Sequence, residues 1–118
     1  MSYYLSFQNK EVVAFMIAIA KKESNWGKRT PKLNGKECYN YWGFRRKRNR
    51  MGSGGHTCFD NKKDAVLTVS ERIKNLLAQG IDTPQKMVIW KCGYSCDNQN
   101  PKNVDKWIRD VDLYYSKF

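Results

Sequence analysis

Glu23 is the residue whose position most strongly suggests chemistry, because it ends the most apolar stretch of the chain. The run VVAFMIAIA, residues 12–20, is followed by two lysines and then by Glu-Ser-Asn-Trp-Gly. In a helix, Met16, Ile19 and Ala20 share one side with position 23. Partial burial would remove hydration from the carboxylate, and the negative end of the helix dipole would repel an anion. Both effects favour the protonated form, which a general acid needs near neutral pH.

The alternative is that Glu23 is a solvated helix-end residue without a special function. Its sequence context favours the catalytic interpretation. ESNWG, residues 23–27, resembles the Glu-Ser-x-Trp-Gly signature of bacterial glucosaminidase-type cell-wall hydrolases in the lysozyme-like superfamily. Further similarities follow in the order of that family, in YNYWGFR (39–45), CFDNKKDAVLTVSERI (58–73) and WIRDVDLYY (107–115). Together the motifs cover most of the chain from Ala18 onward.

The resemblance implies roles for individual residues. Glu23 matches the catalytic acid, and Ser24 matches a residue that helps to hold the following turn, with an ordinary C-cap hydroxyl as the alternative. Tyr39, Asn40 and Trp42 fall in the segment that lines the sugar cleft. Aromatic faces and a few amide or hydroxyl groups suit such a cleft, although these side chains could instead fill the core.

Three other residues are assigned around this site. Trp26 is expected to pack and to fix Glu23 rather than to carry a sugar. Gly43 is expected to supply a backbone conformation that a side chain would forbid. His56, the single histidine, is either a cleft residue that binds substrate or an exposed residue of a glycine-rich loop.

The second catalytic group is left open by the resemblance. Family members often carry another carboxylate, or a water-positioning group, opposite the acid. Glu37 is the candidate here, because Asp60 is better explained as a helix cap and Asp64 as first-turn charge. Without a second acid, the N-acetyl group of the sugar could assist. Alternatively, the 6-hydroxyl of the sugar could attack the anomeric carbon and leave an anhydro product, as in lytic transglycosylases.

Four helices are predicted to position these residues, at about residues 9–23, 60–79, 83–92 and 104–115. The first is apolar on nearly every side, which predicts a central, buried helix. Caps are expected at Asn9, at Asp60 and at Thr83, which precedes Pro84. Gly80 is expected to follow the second helix in a left-handed conformation.

Residues 30–59 show no sustained period and hold two of the four cysteines. A loop of this length is usually functional or cross-linked, and a short hairpin would fit within it. Pairing Cys38 with Cys58 and Cys92 with Cys96 is the simplest of three connectivities. Zinc is the rival, held by the four cysteines or by His56 and three of them, but the C-x3-C spacing matches zinc knuckles poorly.

The net charge of +11 favours an anionic partner such as nucleic acid, an anionic membrane surface or bacterial cell wall. RRKRNR, residues 45–50, is either a solvated loop or a nucleic-acid patch. In a cell-wall hydrolase it would attract anionic wall polymer.

An even number of cysteines favours an oxidising compartment. For that reason we expect a secreted or cell-envelope protein. Because no signal-peptide pattern follows Met1, we expect its signal to be missing from this sequence.

We therefore expect one mainly α domain over residues 1–118, lysozyme-like, with a central buried helix and a small irregular loop or hairpin lobe. By resemblance it would cleave β-1,4 linkages of peptidoglycan by general acid catalysis, as a muramidase, an N-acetylglucosaminidase or a lytic transglycosylase. We expect a monomer with no cofactor, no metal, no specific nucleic acid and no membrane span. The alternative is a non-catalytic, small basic domain that binds nucleic acid or cell wall.

Overall fold

Helix α1 (Lys10–Ser24) forms the centre of the protein in a computed structural model that describes residues 9–93 and 95–118. Asn9 caps it, as predicted, by accepting a hydrogen bond from the backbone N–H of Glu11 at 2.7 Å. The apolar side chains buried on this helix are Val12, Ala14, Phe15, Met16, Ala18, Ile19 and Ala20. The prediction of a mainly helical chain around a buried helix is therefore confirmed.

Helix α2 (Lys62–Ala78) packs against α1 and buries Val66, Val69, Ile73 and Leu76. Its cap is Asn61, whose side-chain oxygen accepts from the backbone N–H of Asp64 at 2.8 Å. The prediction of Asp60 as the cap was wrong by one residue, because Asp60 instead pairs with Arg50 at 3.2 Å. Gly80 follows the helix with φ +85°, as expected.

The remaining helices differ from the prediction at their ends. Residues 83–92 form a 3-10 turn, Lys86–Val88, followed by the short helix α3 (Ile89–Cys92), rather than one continuous helix. Helix α4 (Pro101–Tyr115) begins three residues earlier than expected, because Asn100 caps it and Pro101 occupies its first turn. It packs against α1 and buries Trp107 and Val111.

An irregular lobe connects α1 to α2. Strands β1 (Lys32–Leu33) and β2 (Lys36–Glu37) pair antiparallel. Asn34 and Gly35 join them with φ +53° and +78°, a turn sequence that favours tight hairpins. A second reversal, the 3-10 turn Ser53–Gly55, is closed by a bridge between Met51 and Thr57.

Two disulfides and two ion pairs fix this lobe and the segment before α4. Cys38 bonds Cys58 and Cys92 bonds Cys96, the expected pairing, so no cysteine sulfur is left for zinc. In the basic cluster, Arg48 pairs with Asp64 at 3.2 Å, just as Arg50 pairs with Asp60. Part of the cluster thus ties the lobe to the start of α2. No helix among the described residues is long and apolar enough to cross a membrane.

The lobe disulfide should carry more stability than the short one, because it closes a longer loop. Replacing Cys38 and Cys58 with alanine should lower the free energy of unfolding by about 3 kcal/mol, since the unfolded chain regains the entropy of a loop spanning 20 residues. The matched pair, Cys92→Ala with Cys96→Ala, should lose about 2 kcal/mol. Urea unfolding of both variants provides the measurement, and equal losses would contradict the loop-length argument.

Candidate active site

The chain reverses sharply just after Glu23. Helix α1 ends at Ser24, and Asn25, Trp26 and Gly27 follow with φ of +50°, +60° and +82°. The Ser24 hydroxyl donates to the carbonyl of Ala20 at 2.7 Å and accepts from the N–H of Gly27 at 3.0 Å. With 1% of its surface exposed, Ser24 secures the turn and presents no hydroxyl to a ligand.

The Glu23 carboxyl is fixed from two sides. Its Oε1 atom accepts a hydrogen bond from the Trp107 indole N–H at 2.9 Å. Its Oε2 atom lies against Gly43, where an added Cβ atom would come within 2.8 Å of it. Gly43 also has φ +66°, so both its backbone conformation and the nearby carboxylate require glycine.

The two lysines that precede Glu23 are turned away from it. Lys22 Nζ pairs with Asp110 at 2.7 Å, and Lys21 Nζ donates to the Asn25 side chain at 2.8 Å. Burial alone would raise the pKa of Asp110, but hydrogen bonds from Lys22 and Lys106 hold that pKa below its ordinary value. Glu23 itself forms no ion pair with any cation among the described residues.

A cavity of about 290 Å³, which we name the acid cavity, opens beside Glu23. Its walls come from the end of α1, the segment leading into β1 and the two loops of the lobe. The lining residues are Glu23, Arg29, Thr30, Pro31, Asn40, Gly43, Ser53, Gly54 and His56. Within the described part of the chain, Glu23 is the one carboxylate that lines it. Of the residues proposed to bind substrate, His56 and Asn40 therefore share this cavity with Glu23.

His56 lines the acid cavity, and its two ring nitrogens differ in their contacts. Its Nδ1 lies 3.0 Å from the carbonyl of Ser53, which orients the ring within the 3-10 turn. Nε2 makes no hydrogen bond to the described residues. The sequence allowed His56 to be either a substrate-binding cleft residue or an exposed loop residue. In the structure it is half-buried and lines the acid cavity.

Asn40 lines the acid cavity but uses its side chain to hold the loop together. The amide nitrogen donates to the carbonyls of Phe44 and Thr57 at 2.8 and 2.9 Å. The amide oxygen accepts from the N–H groups of Trp42 and Phe44 at 3.2 and 3.1 Å. Because both donor hydrogens and the acceptor are engaged, Asn40 shapes the wall and has little capacity left for a sugar.

The other two predicted cleft residues lie outside the acid cavity. Trp42 has no exposed surface, and its indole N–H donates to the carbonyl of Met16 at 2.9 Å. A sugar cannot stack on a ring that is completely covered, so core filling, the alternative, fits this structure. Tyr39 is half-buried with φ +57° and is not part of the cavity lining.

Glu37, the candidate second acid, is engaged within the lobe. Oε2 accepts from the Thr30 hydroxyl at 2.8 Å and lies 3.4 Å from Lys32 Nζ, while Oε1 accepts from the N–H of Tyr39 at 2.9 Å. Partial burial pushes its pKa up, but these hydrogen bonds and the lysine charge hold the pKa below its ordinary value. Glu37 does not line the acid cavity.

Trp107 is the site residue that the sequence analysis did not identify. Trp26 was the residue predicted to fix Glu23. Instead, Trp26 is 50% exposed and packs edge-on against Tyr114, with ring centroids 5.8 Å apart. Trp107 comes from the far end of the chain and meets Glu23 only because α4 lies along α1. The sequence signal that could have identified Trp107 is its position as the first residue of the WIRDVDLYY motif.

Comparisons with models of known protein families, with curated proteins and with solved structures found no match to this chain. Across residues 9–93 and 95–118, no three His, Cys, Asp or Glu side chains come together as a metal site. The chemistry of the acid cavity therefore has to be argued from its own geometry.

The Glu37 contacts predict a pH-dependent contribution to stability. Because its pKa lies below the ordinary value of 4.5 in the folded protein, this contribution is present above that value and is lost as the pH falls through the folded-state pKa. Glu37→Gln should lower the free energy of unfolding by about 1 kcal/mol at pH 7 and by less at pH 3. Urea unfolding at both values, with Glu71→Gln as an exposed control, measures it. An equal loss at both pH values would contradict the assignment.

Proposed function

We propose that this protein is a lysozyme-like glycosidase that cleaves β-1,4 linkages in the glycan strands of peptidoglycan, with Glu23 as the general acid. The observation that carries the proposal is the Glu23 carboxyl itself: it lies in a cavity wall, is held by the Trp107 indole, and has no cationic partner among the described residues. The lysozyme-like fold belongs to the proposal. It is supported by a central helix that ends at the acid and by an irregular lobe facing it.

Cleavage would begin with proton transfer from Glu23 to the bridging oxygen of the glycan. The C–O bond to the leaving sugar then breaks, and positive charge develops on the ring that remains. A well-placed general acid contributes about 10²- to 10⁴-fold to such a rate. Trp107 serves as a positioning residue, because its N–H fixes one carboxyl oxygen and hence the rotamer, while Gly43 leaves room for the other oxygen at the wall.

A single carboxylate in the cavity favours the routes in which the substrate supplies the second group. Glu37 does not line the cavity, and its carboxylate is already bonded by Thr30, Lys32 and a backbone N–H. Attack by the N-acetyl oxygen would give a cyclic intermediate that water opens. Attack by the 6-hydroxyl would give an anhydro sugar. Mass spectrometry of the products separates these outcomes, since the anhydro product is lighter than the hydrolysis product by one water.

Polar groups in the acid cavity would contact the sugar hydroxyl and amide groups. Arg29, Ser53 and His56 line it together with backbone of the glycine-rich turn, and hydroxyl-rich ligands are recognised by such convergent polar groups. The two disulfides suggest an oxidising environment. We propose that the protein acts there, in the cell envelope or after secretion, where its net charge of +11 attracts the anionic wall.

Removing the proton of Glu23 tests the proposal directly. Glu23→Gln should reduce clearing of purified peptidoglycan by about 10²-fold or more, because the amide cannot protonate the leaving oxygen. The matched control is Glu11→Gln, the same change at the other end of α1, which should clear at the wild-type rate. Turbidity loss and mass spectrometry of the released fragments are the measurements, since anhydro-forming cleavage creates no new reducing end.

Two outcomes would contradict the catalytic role. Equal clearing by Glu23→Gln and wild type would remove Glu23 from the chemistry. No cleavage by the wild type, together with tight and salt-dependent binding to wall or oligonucleotide, would assign the protein to the alternative class of basic binding domains.

Trp107→Phe tests how Glu23 is positioned. Phenylalanine keeps an aromatic ring in the core but removes the N–H that bonds Oε1, so we expect kcat to fall about tenfold with KM little changed. A fall in kcat/KM that comes from a higher KM with kcat unchanged, in a protein with wild-type circular dichroism, would indicate that Trp107 serves packing alone.

A further inference from the structure

A second cavity adjoins the acid cavity at Gly43. It measures about 150 Å³, and we name it the arginine cavity. Its lining residues are Gly43, Phe44, Arg45, Arg72, Leu76, Ile89 and Trp90. Gly43, which lies against the Glu23 carboxyl, lines both cavities, so the two cavities meet at this glycine beside the acid.

The floor of the arginine cavity is aromatic and rigidly held. Trp90 is half-buried, and its indole N–H donates to the carbonyl of Trp42 at 2.8 Å. The ring of Phe44 lies beside it, with centroids 5.9 Å apart. Phe44 itself is buried, whereas Trp90 is a partly exposed, fixed ring that suits the apolar face of a sugar, the role predicted for Trp42.

The walls of the arginine cavity carry two cations and no anion. Arg45 is exposed and Arg72 is half-buried, and neither forms an ion pair with any acidic side chain in the described residues. Arg48 and Arg50 in the same loop, by contrast, are paired with Asp64 and Asp60. The two cations of the cavity thus remain available to an anionic ligand.

Arg45 is held at the junction of the two cavities. Its guanidinium donates to the carbonyl of Gly54 at 2.7 Å, and Gly54 lines the acid cavity. One N–H group is used in this bond, and the guanidinium has five. A planar guanidinium fixed in this way can still bind a carboxylate through its remaining donors.

We propose that the arginine cavity is a subsite for the carboxylate-bearing sugar of the glycan strand, with Arg45 and Arg72 as its specificity-determining residues. This inference rests on the proposed function of Glu23. In peptidoglycan every second sugar carries a lactyl group, which ends in a carboxylate or continues into a peptide bearing carboxylates. A cationic subsite at a fixed distance from the acid therefore sets the register of the strand. One of the two alternating linkages would reach Glu23, and the other would not.

The test compares charged and uncharged glycans on the full chain. The substrates are peptide-free glycan strands, strands that keep their peptides, and chitin oligomers, which lack carboxylates. The variant is Arg45→Gln with Arg72→Gln. The control, Lys102→Gln with Arg109→Gln, removes the same charge from the exposed side of α4 and should behave as wild type.

The double arginine variant should lose about 10- to 100-fold in kcat/KM on peptide-free strands and less than twofold on chitin oligomers. Wild type should cut one of the two alternating linkages and release fragments with one kind of terminal sugar, reducing or anhydro, whereas the variant should cut both linkages. The loss should shrink at high salt, because exposed charges are screened. A loss confined to strands that keep their peptides would assign the ligand to the peptide carboxylates rather than to the lactyl group.

Equal kcat/KM and one kind of terminal sugar from the variant would overturn the subsite while leaving the activity of Glu23 intact. Binding separates the two proposals further. Calorimetric titration of Glu23→Gln, with and without the arginine changes, should show tighter binding of peptide-free strands than of chitin oligomers only when both arginines are present. Binding of an oligonucleotide through the same arginines, without binding of wall strands, would also overturn the proposal.

Discussion

The apolar surface of α1 is the constraint on which the structure depends. A helix with buried side chains around its circumference has to be covered on every side. Phe15, Met16 and Ile19 have no exposed surface, and burying side chains of this size stabilises the fold by roughly 2 kcal/mol each. Helix α2, helix α4 and the lobe supply that cover. The end of α1 then necessarily lies where these three parts meet, and Glu23 lies at that end.

Indole hydrogen bonds join the same parts at defined points. Trp42 of the lobe donates to the backbone of α1, and Trp90 of α3 donates to the backbone of the lobe. Trp107 of α4 donates to Glu23. A buried indole needs a partner for its N–H, so each ring fixes one element against another while it fills the core. The cavities beside Glu23 are therefore built on an interior in which these three indole N–H groups have partners.

The lobe is stabilised differently, because it contains little regular structure. The Cys38–Cys58 disulfide, the Asn40 side chain and the ion pairs of Arg48 and Arg50 replace the hydrogen bonds that a sheet or helix would provide. Such cross-links let the chain place Gly43 against the carboxylate and leave the glycine-rich turn at the opposite wall. The lobe is small, but its shape determines both cavities.

The sequence by itself determined the central helix, the second helix, the disulfide pairing and the glutamate at the helix end. These follow from local periodicity, capping chemistry and spacing, which act over a few residues or through a simple choice of pairings. Even so, Asp60 and Asn61 are neighbours that both suit a cap, and only the structure shows that Asn61 caps α2 while Asp60 pairs with Arg50. The resemblance to cell-wall hydrolases also came from the sequence and remains the basis of the proposed substrate.

Only the tertiary structure decided which side chains surround Glu23. Aromatic residues near the acid in sequence, Trp26 and Trp42, lie on the surface and in the core. From distant segments, Trp107 instead bonds Glu23 and Trp90 lines the arginine cavity. Spacing along the chain cannot distinguish a ring that fills the core from one that lines a cavity, because both are apolar and both are partly enclosed. The distinction depends on how α3 and α4 pack against the lobe and α1, which is a property of the whole fold.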